Sequence, residues 1–240
     1  MRLICFPYAG ASAAIYRQLP KLLPELEVVA MELPGRGRRL SEPAHEDMDR
    51  LVETLMAELA ESFHAPFAML GHSMGAGIAF EIACRLGPER RENLQHLFLA
   101  ARGAPGSHHT MPSLREADDR TFWQQLREFG GTPPAVLDDP ELMELVLPTL
   151  RADFALIERY TPPIGRRIAV NLTAFAGTRD VFVPVTSIDD WRQSTSGSFR
   201  LHTVEGDHFF LDQAMAGIAA VIARRLDHIS LPNSKDLEYS

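Results

Sequence analysis

Short apolar runs alternate along this chain with segments whose apolar residues recur every three or four positions. The runs "RLICF" (2–6), "LEVVAMEL" (26–33), "FAMLG" (67–71), "LQHLFLAA" (94–101), "IAVNLTAFAG" (168–177) and "FRLHTVEG" (199–206) predict strands. Pro7 ends the first and Pro34-Gly35 closes the second, because proline has no amide to give to a ladder. Residues 46–63 place Met48, Leu51, Val52, Leu55, Met56 and Leu59 on one helical face. "MGAGIAFEIACRL" (74–86) predicts the helix after the third strand, stopped by Gly87-Pro88, and residues 212–228 a last amphipathic helix. Several runs are apolar on both faces, as parallel strands covered by helices on both sides are. The expected class is α/β, a mostly parallel sheet with helices on both faces.

The alternation breaks once. Between 105 and 165 no run reads as a strand. "EADDRTFWQQLREFG" and "DPELMELVLPTLRADFALIERY" predict helices separated by "GTPPAV". An excursion of about 60 residues is too long for a connector and predicts a lid or binding element. The expected organisation is a core of residues 1–104 and 166–230, a helical lid insertion over 105–165, and a frayed polar tail over 231–240.

Composition narrows the class of function. The 240 residues are 45% hydrophobic and 23% charged, enough for one large core. A net charge of −8, from 24 basic and 32 acidic residues, argues against a nucleic-acid partner. Cys5 and Cys84 are the only cysteines, form no metal-type pair, and are expected to be two buried thiols. The first apolar run is too short for a signal peptide, and no stretch nears the roughly 20 apolar residues of a membrane span. The chain is expected to be cytoplasmic, with no membrane partner.

"GHSMG" (71–75) carries the chemistry. It fits G-x-S-x-G with a strand before it and a helix after it, the setting in which that pattern marks a nucleophilic serine. Residues two places either side of Ser73 must be small, or they would strike the adjacent strand and helix. Met74 begins the helix, so its amide is free to face charge developing on an attacked carbonyl. A glycine-rich turn whose serine merely caps the helix would share these residues, but not this placement.

A serine hydroxyl needs a base. In the fold that carries this motif the partners follow in the order serine, acid, histidine. Of nine histidines, His208 in "VEGDHFFLD" alone lies between the last strand and the last helix. His72 would point away from the serine, and His108 and His109 read as an exposed pair. "AFAGTRDVFVP" supplies Asp180 after the preceding strand, as the carboxylate that would fix the imidazole tautomer. Asp207 adjoins His208 too closely to reach its ring. The second oxyanion donor should follow the first strand, from the amide of Tyr8 or Ala9; the sequence does not choose between them.

With these residues placed, the chain from about Leu3 to Leu226 resembles the type II thioesterases of polyketide synthase and nonribosomal peptide synthetase pathways. The resemblance rests on "CFPYAGASA", "ELPGRGRR" (32–39), "LGHSMGA" (70–76), "FGGTPPAVLDDPELMELVLPTLRADF" (129–154), "FAGTRDVFVP" (175–184) and "GDHFFL" (206–211). It implies an α/β-hydrolase fold and hydrolysis of acyl groups from the phosphopantetheine arm of acyl or peptidyl carrier domains. It also implies Ser73 as nucleophile, His208 as base, Asp180 as acid, Met74 in the oxyanion hole, and a mobile lid over 105–165. No metal and no bound cofactor are expected, since the phosphopantetheine arrives with the substrate, and the protein is expected to be a monomer. "AARGAPG" (100–106) departs from the usual Ser-Gly-Arg, and "RYTPPIGRRIAV" (159–170) from the usual Pro-Leu run; both bear on substrate range. Arg36, Arg38 and Arg39 in "GRGRR" (35–39) form a candidate basic contact on a predicted surface loop. The other readings are an esterase or lipase for free esters, an acyltransferase or cyclase, and a non-catalytic binding module.

Overall fold

The structure is a computed structural model that describes residues 1–227 apart from Pro112 and Pro163, so the expected tail at 231–240 lies outside the described residues. Its strands are β1 (Arg2–Phe6), β2 (Glu27–Ala30), β3 (Phe67–His72), β4 (Leu94–Ala100), β5 (Asn171–Gly177) and β6 (Phe199–Val204). They pair in parallel throughout, in the order β2-β1-β3-β4-β5-β6. The helices are α1 (Leu19–Leu22), α2 (Met48–Glu58), α3 (Met74–Arg85), α4 (Pro88–Asn93), α5 (Asp119–Phe129), α6 (Pro134–Leu137), α7 (Pro140–Arg159), α8 (Val185–Asp189) and α9 (Leu211–Leu226).

The period-2 alternation of the strands divides the core into two layers. Ile4 and Phe6 of β1, Phe67 and Met69 of β3, and Leu97 and Leu99 of β4 pack with α2 and α3 on one face. Leu3, Cys5, Ala68, Leu70 and Phe98 pack with α1 and α9 on the other. Because β2 lies to one side of β1 and β3 to the other, the chain reverses direction across the sheet at β1/β3. In open parallel sheets, sites form at the carboxyl ends of strands flanking such a point.

β2 and β5 fall furthest short of their apolar runs. β2 stops at Ala30 after the Met31 amide donates to Cys5, and β5 begins at Asn171. Ahead of it, Ile168 pairs in isolation with Thr195. Cys5 is buried, but Cys84 is only half-buried at the margin of the core, which corrects the expectation of two buried thiols.

Among the described residues no strand occurs between β4 and β5. That span carries α5, α6 and α7, whose Leu114, Phe122, Leu126, Leu137, Leu150 and Phe154 form a separate small core. Asp118 and Asp139 cap α5 and α7 by accepting amide bonds from Thr121, and from Glu141 and Leu142. The turn through "GTPPAV" holds the additional short α6, and Pro148 sits inside α7 without ending it.

Candidate active site

Ser73 ends β3 and opens α3 at φ 53° and ψ −111°, a region strained for any residue with a side chain. Its amide donates to the Ala100 carbonyl of β4 at 2.8 Å, which braces the turn. The flanking glycines are required by close approach. A Cβ on Gly71 would overlap the Gly75 carbonyl and lie 2.5 Å from the Ala76 Cα. One on Gly75 would overlap the Phe6 carbonyl and lie 2.7 Å from that of Pro7. The end of β1 therefore rests directly on the first turn of α3. Gly77 meets only the Arg102 side chain.

Strand ends bring the distant partners to this serine. His208, on the turn after β6, has Nε2 3.0 Å from Ser73 Oγ, so the neutral ring can accept the hydroxyl proton. Its Nδ1 lies 2.7 Å from Asp180 Oδ2 and donates to that carboxylate, which selects the Nδ1–H tautomer. The other oxygen, Asp180 Oδ1, accepts the Phe182 and Val183 amides at 2.9 and 3.0 Å. Burial alone would raise the Asp180 pKa. The His208 hydrogen bond and charge and the two amides outweigh it, and the carboxyl falls below its ordinary value. Asp207 turns away, accepting the Phe209 amide at 2.9 Å. His108 and His109 are both exposed.

The Met74 amide and the two alternative second donors, Tyr8 and Ala9, also lie here. Met74 is the first residue of α3, and Tyr8 and Ala9 line the same cavity as Ser73 and His208. Among the described residues none of these amides has a protein acceptor. The next amide, Gly10, is already engaged: it donates to Asp153 Oδ2 of α7 at 2.6 Å.

That acid is one of three residues whose roles the sequence reading missed. Asp153 forms a two-point pair with Arg36 at 2.7 Å on each oxygen, with side chains only 2% and 6% exposed. Nearby, Thr149 of α7 donates to the Gly35 carbonyl. The available signal was a carboxylate on the apolar face of a helix between Leu150, Phe154 and Leu156. This corrects the reading of "GRGRR" as a surface basic cluster. Arg36 is buried and paired, Arg39 is held by Glu42 and Glu58, and only Arg38 is exposed without such a partner among the described residues. The third is His72. It does point away from Ser73, and its Nε2–H donates to the His208 carbonyl at 2.8 Å. Burial, reinforced by the neighbouring His208, pulls its pKa down to about 3, so it is a neutral strut beneath His208.

Two cavities meet at Ser73. One, of about 460 Å³ including open solvent, lies between the Tyr8-Ala9 turn, His208 and the apolar side chains Leu126, Leu150 and Phe154. The other, of about 1520 Å³ including open solvent, runs from Ser73 past Ala101–Ala104 to Tyr160 and Ile164. Among the described residues, no three His, Cys, Asp or Glu side chains are grouped to hold a metal ion. No helix there is long and apolar enough to cross a membrane. A serine, an imidazole and a carboxylate in this chain, facing free amides under a helical cover, can perform acyl transfer through a covalent serine ester.

Comparison with known proteins places this arrangement in a family. The family model described as "Thioesterase domain" matches residues 1–228. The chain is 35% identical to the gramicidin S biosynthesis protein GrsT of Aneurinibacillus migulanus, over 97% of this chain and 91% of that one. It is also 35% identical to thioesterase PikA5 of Streptomyces venezuelae, over 88% of this chain and 76% of that one. The type II thioesterase BorB of the borrelidin cluster superposes with a TM-score of 0.83 at 34% identity, covering 94% of this chain and 92% of BorB.

Proposed function

The chain belongs to the thioesterase family, and on that premise we propose that it hydrolyses acyl groups from the phosphopantetheine arm of carrier domains in polyketide or nonribosomal peptide biosynthesis. The hydrogen-bonded chain Ser73–His208–Asp180 beneath a helical cover carries this reading, together with full-length similarity to GrsT and BorB. In the proposed reaction, Ser73 Oγ attacks the thioester carbonyl carbon while His208 Nε2 takes the hydroxyl proton. Asp180 holds the imidazolium as it forms. The oxyanion lies on the Met74 amide and that of Tyr8 or Ala9. The carbon–sulfur bond then breaks, and His208 returns the proton to the departing pantetheine sulfur. Water enters, loses a proton to His208 and attacks the serine ester. The carboxylic acid leaves, and Ser73 regains its proton. Each step uses groups of the chain itself, with the phosphopantetheine supplied by the substrate.

The segment over 105–165 serves in this reading as the lid. α7 supplies Leu150, Phe154 and Ile157 to the cavity walls above Ser73. It would exclude water until the acyl-enzyme has formed. The test compares acyl-carrier protein, acyl-coenzyme A and nitrophenyl esters as substrates. A higher kcat/KM on the carrier-bound acyl group, lost in Ser73→Ala, is expected. Equal or better hydrolysis of free esters would make the protein an esterase, and products formed with a nucleophile other than water would make it an acyltransferase.

A further inference from the structure

His72 joins the strand that leads to the proposed nucleophile to the backbone of the proposed base. It lies in β3, paired in register with Ala100 of β4, and Ser73 follows it directly. Its side chain is fully buried. A carbonyl oxygen can only accept, so the 2.8 Å contact with the His208 carbonyl puts the hydrogen on His72 Nε2. Tyr8, Phe210 and the His208 ring pack around the imidazole at centroid distances of 5.5, 5.2 and 5.9 Å.

The turn that carries His208 is anchored at two carbonyls. That of Gly206 accepts the Arg179 amide at 2.8 Å, which ties the turn to the loop of Asp180. That of His208 accepts from His72, which ties the turn to the strand before Ser73. Among the described residues no backbone amide outside the helices donates to the His208 carbonyl. The His72 bond is therefore what sets the backbone of His208 against β3. The 3.0 Å approach of His208 Nε2 to Ser73 Oγ is built on that distance.

Stability alone does not account for a histidine here. Its Nδ1 is buried without a hydrogen-bond partner among the described residues. An unpaired buried acceptor is costly, and a phenylalanine would fill much the same space without one. What phenylalanine lacks is the Nε2–H. Burial and the charge of His208 oppose protonation of His72 more strongly than the His208 carbonyl and Asp180 favour it. The donor thus keeps one tautomer while His208 takes up and returns a proton.

Resting on the reading of Ser73, His208 and Asp180 as the reacting groups, we propose that His72 is a positioning residue. Its Nε2–H holds the His208 carbonyl and thereby fixes the imidazole of His208 between Ser73 Oγ and the Asp180 carboxylate.

The experiment compares the full wild-type chain with His72→Gln, His72→Asn and His72→Phe. Glutamine carries an amide N–H out to about the position of Nε2, asparagine stops short of it, and phenylalanine keeps the ring alone. Two rates are read. One is hydrolysis of an acetyl-loaded, phosphopantetheinylated carrier protein. The other is inactivation by a fluorophosphonate, in which Ser73 Oγ bonds to phosphorus, fluoride leaves and His208 takes the hydroxyl proton. His72→Asn and His72→Phe should lower both kcat and the inactivation rate by about 10–100-fold, with KM within about threefold of wild type. His72→Gln should keep both rates within about threefold of wild type. The deshielded proton resonance of the His208 Nδ1–H, bonded to Asp180, should persist in wild type and His72→Gln and be lost or broadened in the other two.

Wild-type rates in folded His72→Asn and His72→Phe overturn the proposal. So does an equal loss in all three variants, which would make the ring and not its donor the requirement. Should the asparagine and phenylalanine variants fail to fold, His72→Gln decides alone, because loss of both rates in it overturns the proposal. Absence of carrier-thioester hydrolysis by wild type would instead remove the thioesterase reading, while the fluorophosphonate rates would still test His72.

Discussion

The carboxylate of Asp153 accepts the Gly10 amide at 2.6 Å while it grips Arg36 with both oxygens. One buried acid on α7 thereby ties the helical insertion to the turn that carries Tyr8 and Ala9. Removing it separates two effects. Asp153→Ala leaves the Arg36 charge buried and should cost about 3–5 kcal/mol in urea unfolding. The double variant Arg36→Met/Asp153→Leu should recover most of that stability, since an apolar pair of similar volume commonly replaces a buried ion pair. Its kcat should still fall about 10–100-fold, because the Gly10 amide has lost its acceptor and the turn proposed to hold the oxyanion is released. Recovery of turnover together with stability would make Asp153 a packing residue only.

Ser73, the proposed nucleophile, sits on strained backbone. Ser73→Ala should lower turnover by about 10³-fold or more, leaving what the amides and binding supply. Ser73→Gly is equally inactive but relieves the φ of 53°, and should be about 1 kcal/mol more stable than Ser73→Ala. Equal melting temperatures for the two variants would show that the turn is not strained.

The three glycines near Ser73 should respond differently to one added methyl. Gly75→Ala drives a carbon into the Phe6 and Pro7 carbonyls and should both destabilise the fold by about 1–3 kcal/mol and cut kcat steeply. Gly71→Ala meets backbone and should behave likewise. Gly77→Ala meets only the movable Arg102 side chain and should fold normally.

His72 sets an acid-side dependence of stability. Its pKa is about 3 in the folded protein against an ordinary 6.5, so the unfolded chain binds a proton first as pH falls. The stability contributed by neutral His72 is complete above about pH 6.5 and is lost progressively towards pH 3. His96, pulled to about 4 by burial and by Arg225, adds a dependence of the same sign. His72→Gln keeps a donor for the His208 carbonyl and removes the titration. Its melting temperature should decline less steeply than wild type between pH 6.5 and 4; parallel declines would exclude His72 as a contributor.

The sequence by itself determined the elements and the candidate reacting groups, because both are written in local pattern. Short apolar runs, several of them two-sided, identify the six parallel strands, helical periodicity identifies α2, α3, α7 and α9, and "GHSMG" between strand and helix marks Ser73. Asp180 and His208 were legible from their places after particular strands, since strand ends in a parallel sheet converge on one edge. Tertiary structure decided what depends on charges meeting across long sequence distances. "GRGRR" looks like a solvated basic loop until Asp153, 117 residues away from Arg36, is placed against it. His72 looks like a neighbour of the serine until the turn after β6 lays the His208 carbonyl on its ring. Local periodicity reports which face of an element is buried; only packing decides what a buried polar group faces.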